Sequence, residues 1–319
     1  MPQDHEKSSS RQRAAVVGQS FGAYTFFHVI AEGGMGVIFK AEHTAISRRV
    51  ALKIVNPKYA AREGFSPALV EVFMREARIM GAVEHPNVVT LYDAGVVGQC
   101  PYIAMRLVEG GDLAGQVANH GPYINHQQTL LLMAGIADGI SAFHRAGYLN
   151  RDIKPANILL EQDGTPRIAD FGLAIRTGDT AEDGIVAGTP SYLAPEQVHG
   201  KPLTERTDLF ALGATLYFAV TGRPPFDGPT PEAVAAEVGA AVAPPFLDLG
   251  EDHAALGLAE VIRHCMAIDP DDRYASAVEV AEDCRAIAAG QEPRFLGHNL
   301  RRRRSTFFGL FRPPGNAPA

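Results

Sequence analysis

The apolar pattern of this 319-residue chain changes character once, at Glu109-Gly110-Gly111, and the change divides it into two lobes of different kind. Before that point β-formers cluster into three short runs, YTFFHVI, GVIFKAEH and RRVALKIV, separated by glycines or polar residues, which predicts an antiparallel meander. Ser66-Pro67 then supplies a helix N-cap followed by proline at the first helical position. Leu69, Phe73, Ala77 and Met80 recur at helical spacing up to a stop at His85-Pro86, and VVTLYDAGVV and PYIAMRLV read as further strands. After the change the signals are mainly helical. Asn125 with Gln128 resembles a capping box and opens a long buried helix running to His144. A loop-rich stretch from Tyr148 to about Pro202 precedes helical patterns near 205–221, 230–241, 255–267 and 276–289. The expected fold is α+β and two-lobed: a small antiparallel β lobe with one helix over about 21–105, a hinge at about 106–111, and a larger α-helical lobe over about 112–290.

Residues 1–20 read as a mobile arm and 291–319 as a basic, disordered tail, so that deletion after Gly290 is expected to leave the rest unaffected. The net charge of -7 is uneven, because Arg294 to Ala319 holds six arginines and no acidic residue, leaving 23 basic against 36 acidic residues elsewhere. Such a body does not suit nucleic acid. Arg301 to Arg304, followed by Phe307, Phe308, Leu310 and Phe311, offers the tail as a contact for an anionic membrane surface, with a plain disordered tail as the alternative. Cys100, Cys265 and Cys284 are odd in number and far apart, which fits a reducing compartment. The N-terminus lacks an apolar core of signal-peptide type, and the longest nearly apolar run, Leu209 to Val220, is too short to span a bilayer. The expected location is cytoplasmic.

Three places concentrate chemistry. Ala31-Glu32-Gly33-Gly34-Met35-Gly36-Val37-Ile38 lies between two strand signals, where glycines let backbone amides approach a polyphosphate; a glycine-rich hairpin turn is the other reading. Val50-Ala51-Leu52-Lys53 puts a lysine inside an apolar strand, and a buried ammonium requires an anionic partner. Glu76 shares the inward helical face of Phe73 and Met80 and is the candidate. The richest place is Asn150-Arg151-Asp152-Ile153-Lys154-Pro155-Ala156-Asn157, followed by the apolar strand Ile158-Leu159-Leu160 and by Asp170-Phe171-Gly172. It holds oxygen-type metal ligands, a carboxylate to orient a hydroxyl and a cation for a γ-phosphate, the set phosphoryl transfer needs.

With these motifs in this order the chain resembles the eukaryotic-type Ser/Thr protein kinase family, its bacterial members in particular, over about residues 21–289. The resemblance implies ATP and Mg2+ as cofactors and protein Ser/Thr hydroxyls as acceptors. It implies that Lys53 binds the α/β-phosphates and pairs with Glu76, that Asp152 is the catalytic base or hydroxyl-orienting group, that Lys154 contacts the γ-phosphate, and that Asn157 and Asp170 hold Mg2+. It places adenine between Ala51 and Leu159 beside Met105 at the gatekeeper position, its edge on backbone groups of Arg106 and Val108, with Asp112 near the ribose. The phosphates would lie under Ala31, Glu32, Gly33, Gly34, Met35, Gly36 and Ile38. Gly188-Thr189-Pro190-Ser191-Tyr192-Leu193-Ala194-Pro195-Glu196 resembles the peptide-docking loop that small-molecule kinases of related fold generally lack, with Glu196 paired to Arg273 and Asp208 bracing the catalytic loop.

The sequence departs from the family at two positions. Ala31 stands where the first loop glycine is usual, and Asn150 where the family normally has His packed beneath the Phe of Asp-Phe-Gly. Restoring His at 150 is therefore expected to raise activity by improving packing against Phe171. These departures keep open a second reading, an ATP-binding pseudokinase scaffold. In the activation segment, Arg151 awaits an anion: phosphorylated Thr177 or Thr180 through self-phosphorylation, or the carboxylates of Glu182 or Asp183.

Overall fold

The computed structural model describes residues 18–33, 35–178, 188–240 and 247–296. The first β-former runs become β1 (Ser20–Phe21), β2 (Tyr24–Glu32), β3 (Gly36–His43) and β4 (Arg48–Val55). After helices α1 (Pro57–Glu63) and α2 (Pro67–Ala82), strands β5 (Leu91–Val97) and β6 (Cys100–Arg106) complete one antiparallel sheet in the order β1-β2-β3-β4-β6-β5. Side chains alternate across a strand. In β4, Leu52 and Ile54 therefore join a core with Phe26 and Phe39, while Ala51 and Val55 join the core shared with α2 and the second lobe. Lys53 takes the latter face by position.

The expected single helix of this lobe is accompanied by a second, α1, whose start carries the same punctuation as α2. Ser66 Oγ accepts from Leu69 N at 3.2 Å ahead of Pro67, and Asn56 Oδ1 accepts from Lys58 N at 2.9 Å ahead of Pro57. At seven residues α1 is too short to show an apolar period, so only its cap could have announced it.

The second lobe comprises α3 (Leu113–His120), α4 (His126–Arg145), the short strands β7 (Tyr148–Leu149), β8 (Ile158–Leu160), β9 (Pro166–Ile168) and β10 (Ile175–Arg176), then α5 (Pro195–Val198), α6 (Glu205–Thr221), α7 (Pro231–Gly239), α8 (His253–Cys265) and α9 (Ala277–Ala288). The four helical patterns and the long helix fall where the periodicity predicts them. Helix α4 packs against α6, α8 and α9. Helix α6 is buried on all sides, from Thr207 and Asp208 to Ala219 and Val220, as its nearly unbroken apolar run requires. Two backbone clasps tie the lobes together. Val89 N donates to Ile168 O at 2.9 Å and Ile168 N to Asn87 O at 2.8 Å, while Gly110 N donates to Leu160 O at 2.9 Å and Leu160 N to Gly111 O at 2.8 Å. Any Cβ at residue 110 would collide with the Leu160 and Glu161 carbonyls, so the close approach demands glycine.

The folded body runs past the boundary expected at Gly290. Asp283 of α9 is fully buried and accepts from Arg294 N at 2.7 Å, Phe295 N at 3.1 Å, Leu296 N at 3.0 Å and Tyr274 Oη at 3.2 Å. Leu296 is 1% exposed and belongs to the main core. The basic run Arg301 to Arg304 and its aromatic partners lie outside the described residues. Among the described residues no helix is long and apolar enough to cross a membrane.

Candidate active site

The centre of the cleft between the lobes is an ion pair. Lys53 Nζ donates to Glu76 Oε1 at 2.6 Å and Oε2 at 2.8 Å, with Asp170 Oδ1 at 3.9 Å. Burial works against the Lys53 ammonium, but the carboxylates of Glu76 and Asp170 outweigh it and hold its pKa above the ordinary lysine value. Burial pushes Glu76 upward and Asp170 adds to this; Lys53 and the Phe171 backbone oppose them by stabilising the carboxylate. A buried pair of this kind is worth little in net stability but leaves a large penalty if one partner is lost, so it registers α2 against the sheet.

Below it, the loop after β7 is held by one carboxylate. Asp208, fully buried in α6, accepts from Asn150 N and Arg151 N at 2.9 Å each and lies 2.8 Å from His144 Nε2. The second of these bonds holds a strained backbone at Arg151, φ 68°; Asp170, φ 62°, is another of the three non-glycine residues in left-handed conformation among the described residues. Each such residue costs on the order of 1–3 kcal/mol, and strain of this kind concentrates where geometry is needed for function. Asp152 Oδ2 accepts from Lys154 Nζ at 2.8 Å and from Asn157 Nδ2 at 2.8 Å, and Asn157 Nδ2 also donates to the Asp152 carbonyl at 2.9 Å. Burial raises the Asp152 pKa above the ordinary aspartate value, against the lowering influence of Lys154 and Asn157. Glu196 and Arg273 form a bidentate pair at 2.7 and 2.9 Å, with the guanidinium over the Phe210 ring.

The family model for the protein kinase domain matches residues 24–283. The chain belongs to the protein kinase family. It is 37% identical over 270 residues to the probable serine/threonine-protein kinase CE0033 of Corynebacterium efficiens, a match covering 81% of this chain and 40% of that protein. It is 36% identical over 271 residues to the probable serine/threonine-protein kinase PknB of Corynebacterium glutamicum, covering 82% and 41%. To the serine/threonine-protein kinase PknL of Mycobacterium tuberculosis it is 34% identical over 271 residues, covering 81% and 64%. The chain thus spans about two fifths of the length of the first two relatives.

In the kinase cleft the sheet register sets Ile38 opposite Lys53 and Ala51 opposite Met105. Gly36 lies on Lys53, where an added Cβ would meet Cε at 3.3 Å. Ala31, Glu32, Gly33 and Met35 form the β2–β3 end with Gly36, whereas Gly34 lies outside the described residues. At the hinge, Arg106 N donates to Thr90 O at 2.9 Å, so its N–H is not free for an adenine edge, and its side chain binds Glu161 at 2.8 Å. Val108 N makes no hydrogen bond to any described residue and keeps a donor for that edge. Asp112 Oδ1 accepts from Gly115 N at 2.8 Å as the cap of α3, and Asp112 forms a backbone bridge with Leu159. The capping role was not foreseen.

The donor set suits Mg2+. Asn157 Nδ2 is spent on Asp152, which leaves Oδ1 as its acceptor, and Asp170 is 46% exposed at its side chain with only Oδ1 engaged, by Gly172 N at 3.2 Å. Two hard oxygens with the remaining positions open fit a cation that arrives with phosphate and water ligands. Among the described residues no group of three or more His, Cys, Asp or Glu could form an all-protein cage. A polar hollow of about 680 Å³ lies elsewhere, lined by Arg206, Arg263, His264, Asp271 and Arg273. Its Arg206–Asp271 pair at 2.7 Å is self-satisfied, and of the groups above only Arg273 borders it; Lys53, Glu76, Asp152, Lys154, Asn157 and Asp170 do not.

Asn150 behaves differently from the sequence expectation. Phe171 is already buried, with its ring 5.0 Å from that of Phe143, so its packing shows no deficit for a histidine to repair. Asn150 Oδ1 instead accepts from Asp152 N at 3.0 Å, a local bond that holds the catalytic loop. Thr177 is exposed, and Thr180, Glu182 and Asp183 lie outside the described residues. Two residues close to the site carried no recognisable signal, His144 on Asp208 and Arg75 donating to Ala174 O at 3.5 Å, while Asn56, which binds Gly33 O at 2.9 Å, carried only the signal of a helix cap. Their partners are backbone atoms or distant side chains that spacing does not encode.

Proposed function

We propose that this chain is an active Ser/Thr protein kinase domain that transfers the γ-phosphate of Mg·ATP to protein hydroxyls. The observation that carries the reading is the simultaneous closure of Lys53 on Glu76 and of Lys154 and Asn157 on Asp152. Lys53 orients the α/β-phosphates. Asp152 takes the hydroxyl proton as the acceptor oxygen bonds to the γ-phosphorus and the bond to the β–γ bridging oxygen breaks, releasing ADP. Lys154 meets the charge on the moving phosphoryl group. Mg2+, held by Asn157 and Asp170, supplies charge neutralisation on the phosphates when bound. The docking loop through Glu196 favours a protein acceptor over a small molecule, and the names of the relatives support Ser/Thr specificity. A cytoplasmic setting, self-phosphorylation at Thr177 or Thr180, and contact of the basic tail with anionic membranes belong to the same proposal.

The test is incubation of the purified chain with labelled Mg·ATP and a generic protein, with phosphosites located by mass spectrometry. Phosphate on Ser or Thr is the expected result. Tight nucleotide binding without transfer would establish the pseudokinase scaffold instead. The substitution Asn150→His is expected to leave kcat at or below the wild-type value, because it forfeits the bond to Asp152 N without relieving any void. A clear rise in kcat would restore the packing explanation.

The pH profile offers a separate check. Asp152 acts as base only when ionised, and its raised pKa means that this form is lost at a higher pH than for an ordinary aspartate as pH falls. Lys154 lowers that pKa, so Lys154→Ala should move the acidic limb of kcat/KM to higher pH as well as reduce the rate. An unmoved limb would remove Asp152 from the role of base.

A further inference from the structure

Between the end of β4 at Val55 and the start of α1 at Pro57 stands one residue, Asn56, which is buried and engages both neighbouring segments. Its Oδ1 accepts from Lys58 N at 2.9 Å, its Nδ2 donates to Gly33 O at 2.9 Å, and its own N–H donates to Met35 O at 2.8 Å. Gly33 N in turn donates to Gly36 O at 2.8 Å, and Lys58 Nζ reaches Glu32 Oε1 at 2.9 Å. Capping a helix needs only a side-chain acceptor, which serine or aspartate supplies equally well. The amide donor of Asn56 is surplus to that task.

That donor acts on the glycine-rich loop. Carbonyl oxygens repel a polyphosphate and amide N–H groups attract it, so the orientation of the peptide planes decides whether the loop can receive phosphate. Asn56 draws the carbonyls of Gly33 and Met35 to itself, on a loop whose Gly36 already rests on the Lys53 stem. We propose that Asn56 is a positioning residue for the nucleotide: its side-chain amide fixes the glycine-rich loop over Lys53 in the orientation that receives the β- and γ-phosphates. The inference rests on the kinase reading, and Asn56 itself touches no substrate.

The full chain carrying Asn56→Ser or Asn56→Ala is titrated with the Mg2+ complex of the β,γ-imido analogue of ATP and, separately, with adenosine. Serine keeps the cap but cannot reach Gly33 O. Its melting temperature should fall less than that of the alanine variant, its affinity for the analogue should fall by about fivefold, the share of one neutral hydrogen bond, and its affinity for adenosine should hold. In turnover the change should fall on the KM for ATP rather than on kcat. Alanine should show the same nucleotide loss together with a lower melting temperature. If serine binds the analogue as wild type does, or loses adenosine in equal proportion, Asn56 is only a cap and the proposal fails. A wild-type chain that does not bind the Mg2+ analogue overturns the kinase reading itself, a result distinguishable from either of these.

Discussion

Lys53→Met and Asp170→Asn are each expected to lower phosphotransfer by on the order of 10³-fold, as for the loss of one preorganised charge aimed at a reacting phosphoryl group. Both should remain folded, for different reasons. Asp170 is half exposed and its loss uncovers no core. Removing Lys53 deprives buried Glu76 of its cation, but burial and Asp170 already push the Glu76 pKa upward, so the carboxyl relieves the penalty by taking up a proton. The check is a phosphotransfer rate beside a thermal melt for each variant. Wild-type rates in either one would sink the site assignment, and collapse of the melt would show that the pair acts as a structural clamp.

Ending the chain at Gly290 is expected to destabilise the domain severely, contrary to what its tail-like composition suggests. The cut removes three of the four donors to buried Asp283 and takes Leu296 out of the core. A buried carboxyl stripped of most of its donors costs about 1–3 kcal/mol or more, and a buried leucine adds about 1.5–3 kcal/mol. Against a total stability of about 5–15 kcal/mol, such a chain melts far below the parent or fails to accumulate in soluble form. A chain ending at Gly297 keeps every one of these contacts and should melt with the full-length protein. Equal melting of the two truncations would show that Asp283 finds other partners.

The sheet, the long helix and the Lys53–Glu76 pair were legible because each is written in a period: alternation in β2 to β6, helical recurrence of Leu69, Phe73, Ala77 and Met80, and Glu76 on the same face. Asp152, Lys154, Asn157 and Asp170 were legible through spacing. Asp283 was not, since an aspartate within a helix that also carries Glu279 and Glu282 looks like a solvated one, and its partners are backbone amides that leave no trace in residue type. Helix α1 was overlooked although Asn56-Pro57 carries the same punctuation as Ser66-Pro67, because seven residues give periodicity nothing to work on. Asn150 misled for a related reason. The family places a packing residue there, while here a short amide satisfies the backbone of Asp152, and only the three-dimensional arrangement distinguishes the two solutions.

Helix α6 supports more than the catalytic loop. Its Asp208 holds the amides of Asn150 and Arg151, and the carbonyl of its Arg206 receives Arg273 Nη1 at 2.9 Å, the same guanidinium that clamps Glu196 beneath the docking loop. The loop that carries Asp152 and the segment ending at Glu196 are thus both mounted on one deeply buried helix. Lys53 and the glycine-rich loop are mounted on the sheet of the other lobe. On the proposed mechanism, nucleotide and acceptor are therefore referenced to different lobes, and their alignment depends on how one lobe sits on the other. On that mechanism, a change in how the lobes sit should alter turnover more than peptide affinity, whereas a disturbance of α6 should degrade both together.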